Sequence, residues 1–222
     1  MDNHHTILMN PYNRIYRRAE REMIEHEEWI ARQMRLQAEA AELVEEMKLQ
    51  PLLETVGTPV KVGSAALGLM VWRDLDMTVI CSKLDIAAIS DVVSQLMSNP
   101  RIRQITLMND TGGWNTDPVY PDGYYIGLEY RSRSGNEWQL DIWFVDEPER
   151  QPDLQHIRTM PGRLTSEAIV SILSIKTVWR SRPEYGKQVK SFDIYSAVLD
   201  DNVRTPDEFE QWLQSRNDNR SS

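Results

Sequence analysis

At 222 residues, the chain is long enough for one large domain or two small ones, and 41% hydrophobic residues are typical of a globular protein with a real core. Every apolar run is much shorter than the roughly 20 residues of a membrane helix, and none near Met1 resembles a signal peptide, so we expect no membrane partner. The formal net charge of −9 argues against a nucleic-acid ligand and suits a cationic one. Cys81 is the single cysteine, which excludes internal disulfides and cysteine-rich metal sites and favours the reducing cytoplasm.

The N-terminal part of the chain predicts one long helix. Residues 14–49 are rich in Glu, Arg, Gln, Ala, Met and Leu and contain no Gly or Pro. Apolar residues recur there at three- and four-residue steps, so one face of the helix should pack against other parts of the structure. The periodicity fits both a brace within the chain and a contact in a homodimer. Pro51 should end the helix.

The central part of the chain alternates between strand and helix patterns. Strands are expected at 58–62, 75–81, 102–108, 124–130 and 138–145, and helices at 65–70 and from Asp85 to a point before Pro100. A polar, Gly-containing turn at 132–136 joins the last two strands as a hairpin. This order predicts an α/β (α+β) fold in which a mixed β-sheet is backed by helices.

A helical region follows Pro148. Helices are expected at 165–180 and 191–199, and Thr205-Pro206-Asp207-Glu208 is a capping box that opens a final helix. We therefore divide the chain into an N-terminal tail with its long helix (1–50), a central sheet domain (51–148) and a C-terminal helical region (149–222).

The most informative motif begins at the end of the first predicted strand. Gly63-Ser64 follows an apolar run, and after nine further residues the chain reads Asp74-Leu75-Asp76-Met77. Because successive strand side chains point to opposite faces, Asp74 and Asp76 share one face. Neighbouring carboxylates repel each other unless a hard cation lies between them, and Mg²⁺ with bound phosphates is a common case. The motif therefore predicts a metal-dependent enzyme that acts on a nucleoside triphosphate.

This combination resembles the signature of the polymerase-beta-like nucleotidyltransferase superfamily, which has Gly-Ser, a short spacer, Asp-x-Asp between apolar residues, and a third carboxylate on a later strand. Asp141, in Leu140-Asp141-Ile142, fits the third position. The resemblance spans about residues 55–146. It implies that residues 51–148 form a nucleotidyltransferase catalytic domain. It further implies that Asp74, Asp76 and Asp141 are catalytic residues holding two Mg²⁺ ions, with Asp141 on the ion that activates the acceptor.

The same resemblance implies residues that bind the nucleotide. Gly63 would allow close approach of the backbone to phosphate, and Ser64 would offer a hydroxyl and an N–H to the β- or γ-phosphate. Arg73 and Lys176 are candidates for contacts to the triphosphate. For Arg73 the alternative is a salt bridge to Asp74 or Glu137, and for Lys176 it is an ordinary position on an amphipathic helix.

The leading hypothesis is transfer of an NMP unit from an NTP, with ATP as the expected donor, to a hydroxyl of a small-molecule acceptor, with release of pyrophosphate. The layout resembles the aminoglycoside-nucleotidyltransferase-like branch, in which helices follow an N-terminal catalytic domain, and the acidic charge would suit a cationic acceptor. A nucleic-acid acceptor is unexpected because the chain lacks a basic composition. The alternatives are an antitoxin-type protein that AMPylates a protein hydroxyl, and a non-catalytic nucleotide- or partner-binding module of the same fold.

Overall fold

The computed structural model describes residues 11–220, so the start of the predicted N-terminal tail lies outside the described residues. In this range the chain forms eight α-helices: α1 (Pro11–Met47), α2 (Leu49–Leu53), α3 (Gly63–Leu67), α4 (Ile86–Met97), α5 (Pro152–Thr159), α6 (Ser166–Trp179), α7 (Ser191–Leu199) and α8 (Pro206–Arg220). It also forms five strands: β1 (Thr58–Lys61), β2 (Asp74–Ile80), β3 (Ile102–Asp110), β4 (Gly123–Arg131) and β5 (Glu137–Val145). Among the described helices, none is both long enough and apolar enough to cross a membrane.

The five strands form one mixed sheet in the order β1-β2-β5-β4-β3. Strands β2 and β5 are parallel, and the other neighbouring pairs are antiparallel. The predicted α/β (α+β) fold with a mixed sheet is therefore confirmed. The parallel pair lies in the middle of the sheet, which brings together two strands that are more than 50 residues apart in the chain.

One face of the sheet packs against α1 and α4. Leu36, Ala40 and Leu43 of α1 are buried in the same cluster as Ile89 of α4 and the core residues of the central strands. By contrast, the described side chains of α1 between residues 20 and 28 are exposed. The C-terminal half of α1 is thus a brace within the chain, as one of the two interpretations of its periodicity predicted.

The C-terminal helices build a second core around α6. Ile172, Trp179 and Phe209 are buried there, and Leu67 and Leu69 from the central part of the chain join them. This shared core holds the end of α3 and the segment before β2 against α6 and α7.

The helix starts that the sequence predicted are present. The Asp85 carboxylate accepts hydrogen bonds from the N–H groups of Ala87 and Ala88 at the start of α4. Thr205 and Glu208 each accept a hydrogen bond from the other's backbone N–H, as a capping box requires. Pro51 lies inside the short helix α2, in a first turn where its missing N–H costs nothing. Helix α5 was not predicted.

Candidate metal and nucleotide site

Three carboxylates converge where β2 and β5 run side by side. Asp76 is paired directly with Asp141 in the parallel register, and Asp74 lies two residues earlier on the same face. One carboxylate oxygen from each residue lies within 4.8 Å of the other two. The structure thus brings together the three residues that the sequence placed in one metal site. We refer to Asp74, Asp76 and Asp141 as the acidic triad.

The surroundings of the triad disfavour negative charge. Burial raises the pKa of Asp74 to about 6, and the neighbouring charge of Asp141 adds to this effect. Burial also raises the pKa of Asp76 well above its usual range, with contributions from Asp74 and Asp141. Oδ1 of Asp74 is buried and has no hydrogen-bond partner among the described residues. A cation at this position would relieve both unfavourable features.

The donor set fits Mg²⁺. The ion prefers carboxylate and other oxygen ligands at about 2.0–2.1 Å, so oxygens on opposite sides of one ion lie about 4 Å apart. The three carboxylate oxygens of the acidic triad lie within 4.8 Å of one another, close enough to share one ion. Asp74, Asp76 and Asp141 would hold the metal, which, when bound, supplies positive charge that stabilises the attacking and leaving oxygens in phosphoryl chemistry.

The backbone of Gly63 packs closely against Asp76 of the acidic triad. Its φ is +60°, a conformation that side-chain-bearing residues rarely adopt. A Cβ atom at this position would overlap Oδ2 of Asp76 and lie 2.8 Å from its Cγ. The N–H of Val62 donates to the Asp76 carbonyl, which fixes this approach. Ser64 follows in the first turn of α3, half-buried, so both residues of the Gly-Ser motif lie beside the predicted metal site.

Tyr125 is a site residue that sequence reasoning missed. Its hydroxyl donates a 2.5 Å hydrogen bond to Oδ1 of Asp141. Burial and this hydrogen bond raise the pKa of Tyr125, so the hydroxyl keeps its proton. A Cβ on Gly127, which is paired with Asp141, would lie 2.5 Å from the Tyr125 hydroxyl, so only glycine leaves room for this contact. Counting the register back from the predicted hairpin turn would have placed Tyr125 on the Asp141 face.

Lys176 is buried, not at the surface of an amphipathic helix. Only 1% of its surface is exposed, and its Nζ donates to the Leu69 carbonyl at 2.9 Å and the Tyr195 hydroxyl at 3.1 Å. The ammonium also lies 5.2 Å from the centre of the Trp72 ring. Burial lowers the pKa of Lys176 to about 8, against the opposing influence of Asp76 and Asp74. Its contact to the triphosphate stays a prediction.

Arg73 is paired with the long helix. Its Nε and Nη2 donate to the two carboxylate oxygens of Glu39 at 2.7 and 3.3 Å. This partner differs from Asp74 and Glu137, the two that the sequence suggested. Arg73 nevertheless lines the cavity beside the triad, and its role in binding the triphosphate stays a prediction.

A cavity of about 1080 Å³ opens next to Asp74 and Asp141. Residues of α1, of the strands β2 to β5 and of the segment after α6 line it, and many of them are charged. The charged lining residues are Arg32, Arg35, Arg73, Arg101, Arg103, Arg131, Arg180, Glu39, Asp74, Glu129, Glu137 and Asp141. The net charge of the chain does not reveal this concentration of arginines.

No family model and no curated protein matches the chain. Solved structures of the Cid1 poly(U) polymerase are similar in fold. One, described for its RNA terminal uridylyl transferase activity, has a TM-score of 0.55 at 13% identity, covering 82% of this chain and 52% of that chain. A second, with MgGTP bound, has a TM-score of 0.53 at 15% identity, covering 74% and 50%. A third, in complex with the short product ApU, has a TM-score of 0.52 at 14% identity, covering 78% and 54%.

The present chain therefore spans about half the length of the solved structures that it matches. The likeness confirms a nucleotidyltransferase fold, and the acidic triad is present in it. The resemblance to the aminoglycoside-nucleotidyltransferase-like branch is not confirmed.

Proposed function

We propose that the chain is a Mg²⁺-dependent nucleotidyltransferase that moves an NMP unit from an NTP, with ATP as the expected donor, to a hydroxyl of a small acceptor. The observation that carries this proposal is the acidic triad, with its unpartnered buried oxygen on Asp74, at the edge of a large cavity. A structural role for three repelling carboxylates would be costly without a cation. The Gly63 backbone packed against Asp76 supports a site built for a phosphate-bearing ligand.

In this reaction the acceptor oxygen forms a bond to the α-phosphorus of the NTP, and the bond from that phosphorus to the β-phosphate bridging oxygen breaks. Pyrophosphate leaves, and the hydroxyl proton of the acceptor passes to a carboxylate oxygen of Asp141 and then to solvent. We assign Asp141 to the acceptor side because it lines the cavity, and its Oδ2 accepts no hydrogen bond from the described residues while Tyr125 holds Oδ1. Tyr125 thus keeps the Asp141 carboxylate in one orientation during the reaction.

The remaining predicted residues have places in this scheme. Gly63 and Ser64 would lie along the phosphates of the NTP. Lys176 would contribute positive charge to the site, because its ammonium group interacts electrostatically with Asp76 and Asp74. Arg73 would act at the rim of the cavity, where Glu39 restricts its movement.

A second candidate acceptor is the hydroxyl end of an RNA chain. Two observations favour it: the fold is similar to that of a poly(U) polymerase, and arginines line the cavity. The argument against nucleic acid came from the net charge alone, and a local surface can differ from the net charge.

Calorimetric titration with ATP, GTP, CTP and UTP, with Mg²⁺ and with EDTA, tests the proposal. We expect Mg²⁺-dependent binding of at least one NTP, weakened more than about tenfold by Asp74→Asn/Asp76→Asn. The matched control, Asp91→Asn/Asp146→Asn, removes two exposed carboxylates outside the triad and should bind like the wild type. If folded wild-type protein binds no nucleotide, the proposal is wrong, and a partner-binding module of the same fold becomes the better interpretation.

Binding should then be followed by a reaction assay. Pyrophosphate release in the presence of a hydroxyl compound would identify the acceptor class. Label transfer from ATP to a protein would instead favour the AMPylating antitoxin-type alternative.

A further inference from the structure

Four arginines from distant parts of the chain line the same cavity, and of these only Arg73 forms a salt bridge with a described carboxylate. Arg32 and Arg35 come from α1, Arg73 precedes β2, and Arg180 follows α6. We refer to these four residues as the arginine cluster. They are separated by almost 150 residues of sequence, so only the packing of α1 and α6 against the start of β2 brings them together.

The cluster carries more positive charge than its own partners neutralise. Arg73 forms the bidentate pair with Glu39. Arg180 donates to the Val71 carbonyl at 2.9 Å and lies over the Trp72 ring, so its partners are uncharged. Arg32 and Arg35 form no ion pair with any described carboxylate. Partial burial lowers the pKa of Arg32, and the neighbouring charges of Arg180, Arg73 and Arg35 add to this effect, so the other three guanidinium groups lie close enough to Arg32 to repel it.

The arginine cluster shares its cavity with two members of the acidic triad, Asp74 and Asp141. Its volume of about 1080 Å³ exceeds the usual range of about 300–1000 Å³ for a pocket that holds one drug-sized ligand. A nucleotide at the triad would therefore leave room for a second molecule. The part of the cavity next to the arginines suits an anionic group, because guanidinium groups bind phosphate oxygens in a bidentate manner.

We propose that the acceptor carries a phosphate group and that the arginine cluster binds this group while the acceptor hydroxyl faces Asp141. The inference rests on the proposed function, because it names the substrate class of the same site. It replaces the cationic acceptor expected from net charge with an anionic one. The phosphate could belong to a small phosphorylated alcohol, such as a nucleoside monophosphate, or to the phosphodiester chain of an oligonucleotide.

The test is calorimetry on the full chain with three probes: adenosine 5′-monophosphate, a penta-adenylate RNA, and kanamycin as a cationic alcohol. Each probe is titrated with and without a saturating, non-hydrolysable ATP analogue and Mg²⁺, so that binding at the nucleotide site is separated from binding at the cluster. The test variant is Arg32→Gln/Arg35→Gln. The matched control, Arg17→Gln/Arg21→Gln, removes the same charge from exposed positions on the same helix, outside the cavity. Thermal melting verifies that both variants are folded.

We expect a phosphate-bearing probe to bind in the presence of the analogue, at least about tenfold more weakly to the test variant and within about twofold to the control. If the RNA is the ligand, losing two contacts should also reduce the slope of log K against log salt by about 1.4. Binding of the monophosphate would identify a small phosphorylated acceptor, and binding of the RNA alone would identify a nucleic-acid end.

Two results overturn the inference: neither phosphate probe binds, whether or not kanamycin does, or a phosphate probe binds equally to both double variants. Failure of the proposed function has a different signature, namely that none of the four NTPs shows Mg²⁺-dependent binding. The titrations without analogue still decide in that case whether the cluster binds phosphate.

Discussion

The two charged groups that share the cavity differ in how the protein holds them. The acidic triad lies on the central strands, partly buried, with its spacing set by the register of β2 and β5. In the arginine cluster, Arg32 and Arg35 are exposed on α1, Arg180 follows the end of α6, and Arg73 precedes β2. Rigid strands suit a metal ion, whose geometry tolerates little variation, whereas long side chains on helices suit a phosphate group that can arrive in several poses. In both regions more like charge is kept together than the described partners neutralise, which indicates a ligand of opposite charge.

The largest expected effect comes from Gly63→Ala, which should damage the triad and leave the arginine cluster intact. The added Cβ would overlap Asp76 in a backbone conformation that alanine rarely adopts. We expect Mg²⁺-dependent nucleotidyl transfer to fall by about 100-fold and the free energy of unfolding by about 2 kcal/mol. Gly113→Ala is the matched control, since nothing lies within 4 Å of its Cβ. Unchanged activity in Gly63→Ala would show that the reaction does not depend on Gly63.

Tyr125→Phe should have a smaller effect, confined to the orientation of Asp141. Loss of one hydrogen bond to a charged group corresponds to about 1.5–3 kcal/mol, so we expect kcat to fall by roughly ten- to 100-fold with little change in KM for the NTP. Tyr124→Phe, at the neighbouring position on β4, is the control and should retain kcat. A fall in NTP affinity without a change in kcat would mean that Tyr125 acts on nucleotide binding instead.

The third prediction concerns the acidic triad alone: the effect of Mg²⁺ on thermal stability should depend on pH. The pKa of Asp74 is raised to about 6 in the folded protein, so its contribution to stability is present below about pH 4 and is lost as the pH rises through about 6. Mg²⁺ requires ionised carboxylates and should restore stability in that upper range. We therefore expect Mg²⁺ to raise Tm by several degrees at about pH 7.5 and by much less at about pH 5. Differential scanning fluorimetry checks this, and Asp74→Asn/Asp76→Asn should remove most of the pH dependence, because the pKa of Asp76 is raised as well.

The smallest effect is expected for Arg35→Gln in the absence of ligand. Removing one charge from the cluster relieves repulsion at an exposed position, so Tm should rise by about 1 °C or less. Inorganic phosphate should raise the Tm of the wild type more than that of Arg35→Gln. Equal shifts in the two proteins would place phosphate binding elsewhere.

Much of the acidic half of the cavity follows from the amino-acid sequence alone. The helices and strands of the central part, the mixed sheet and the positions of Asp74, Asp76 and Gly63 follow from local patterns, because strand alternation and turn chemistry act over a few residues. Asp141 could be predicted as well, since its apolar neighbours indicated a buried strand. Its direct pairing with Asp76 depended on β5 lying beside β2 instead of beside β3, and local patterns do not decide strand order.

The surroundings of other residues could not be predicted for the same reason. Lys176 sits among apolar positions on α6, and nothing in its helix indicates that Leu69 and Tyr195 surround its ammonium. Arg73 is paired with Glu39, a partner from a helix that ends more than 20 residues earlier.

The sequence by itself predicted the fold class and the Asp74 and Asp76 pair, because both depend on residue types at short, regular spacings, and the family resemblance added Asp141. Only the tertiary structure shows which side chains line the cavity beside the triad. The arginine cluster is assembled from three distant segments of a chain whose composition, averaged over its whole length, is acidic. The net charge does not say where each charge lies in the structure. The location of the guanidinium groups in the cavity is what supports a phosphate-bearing acceptor.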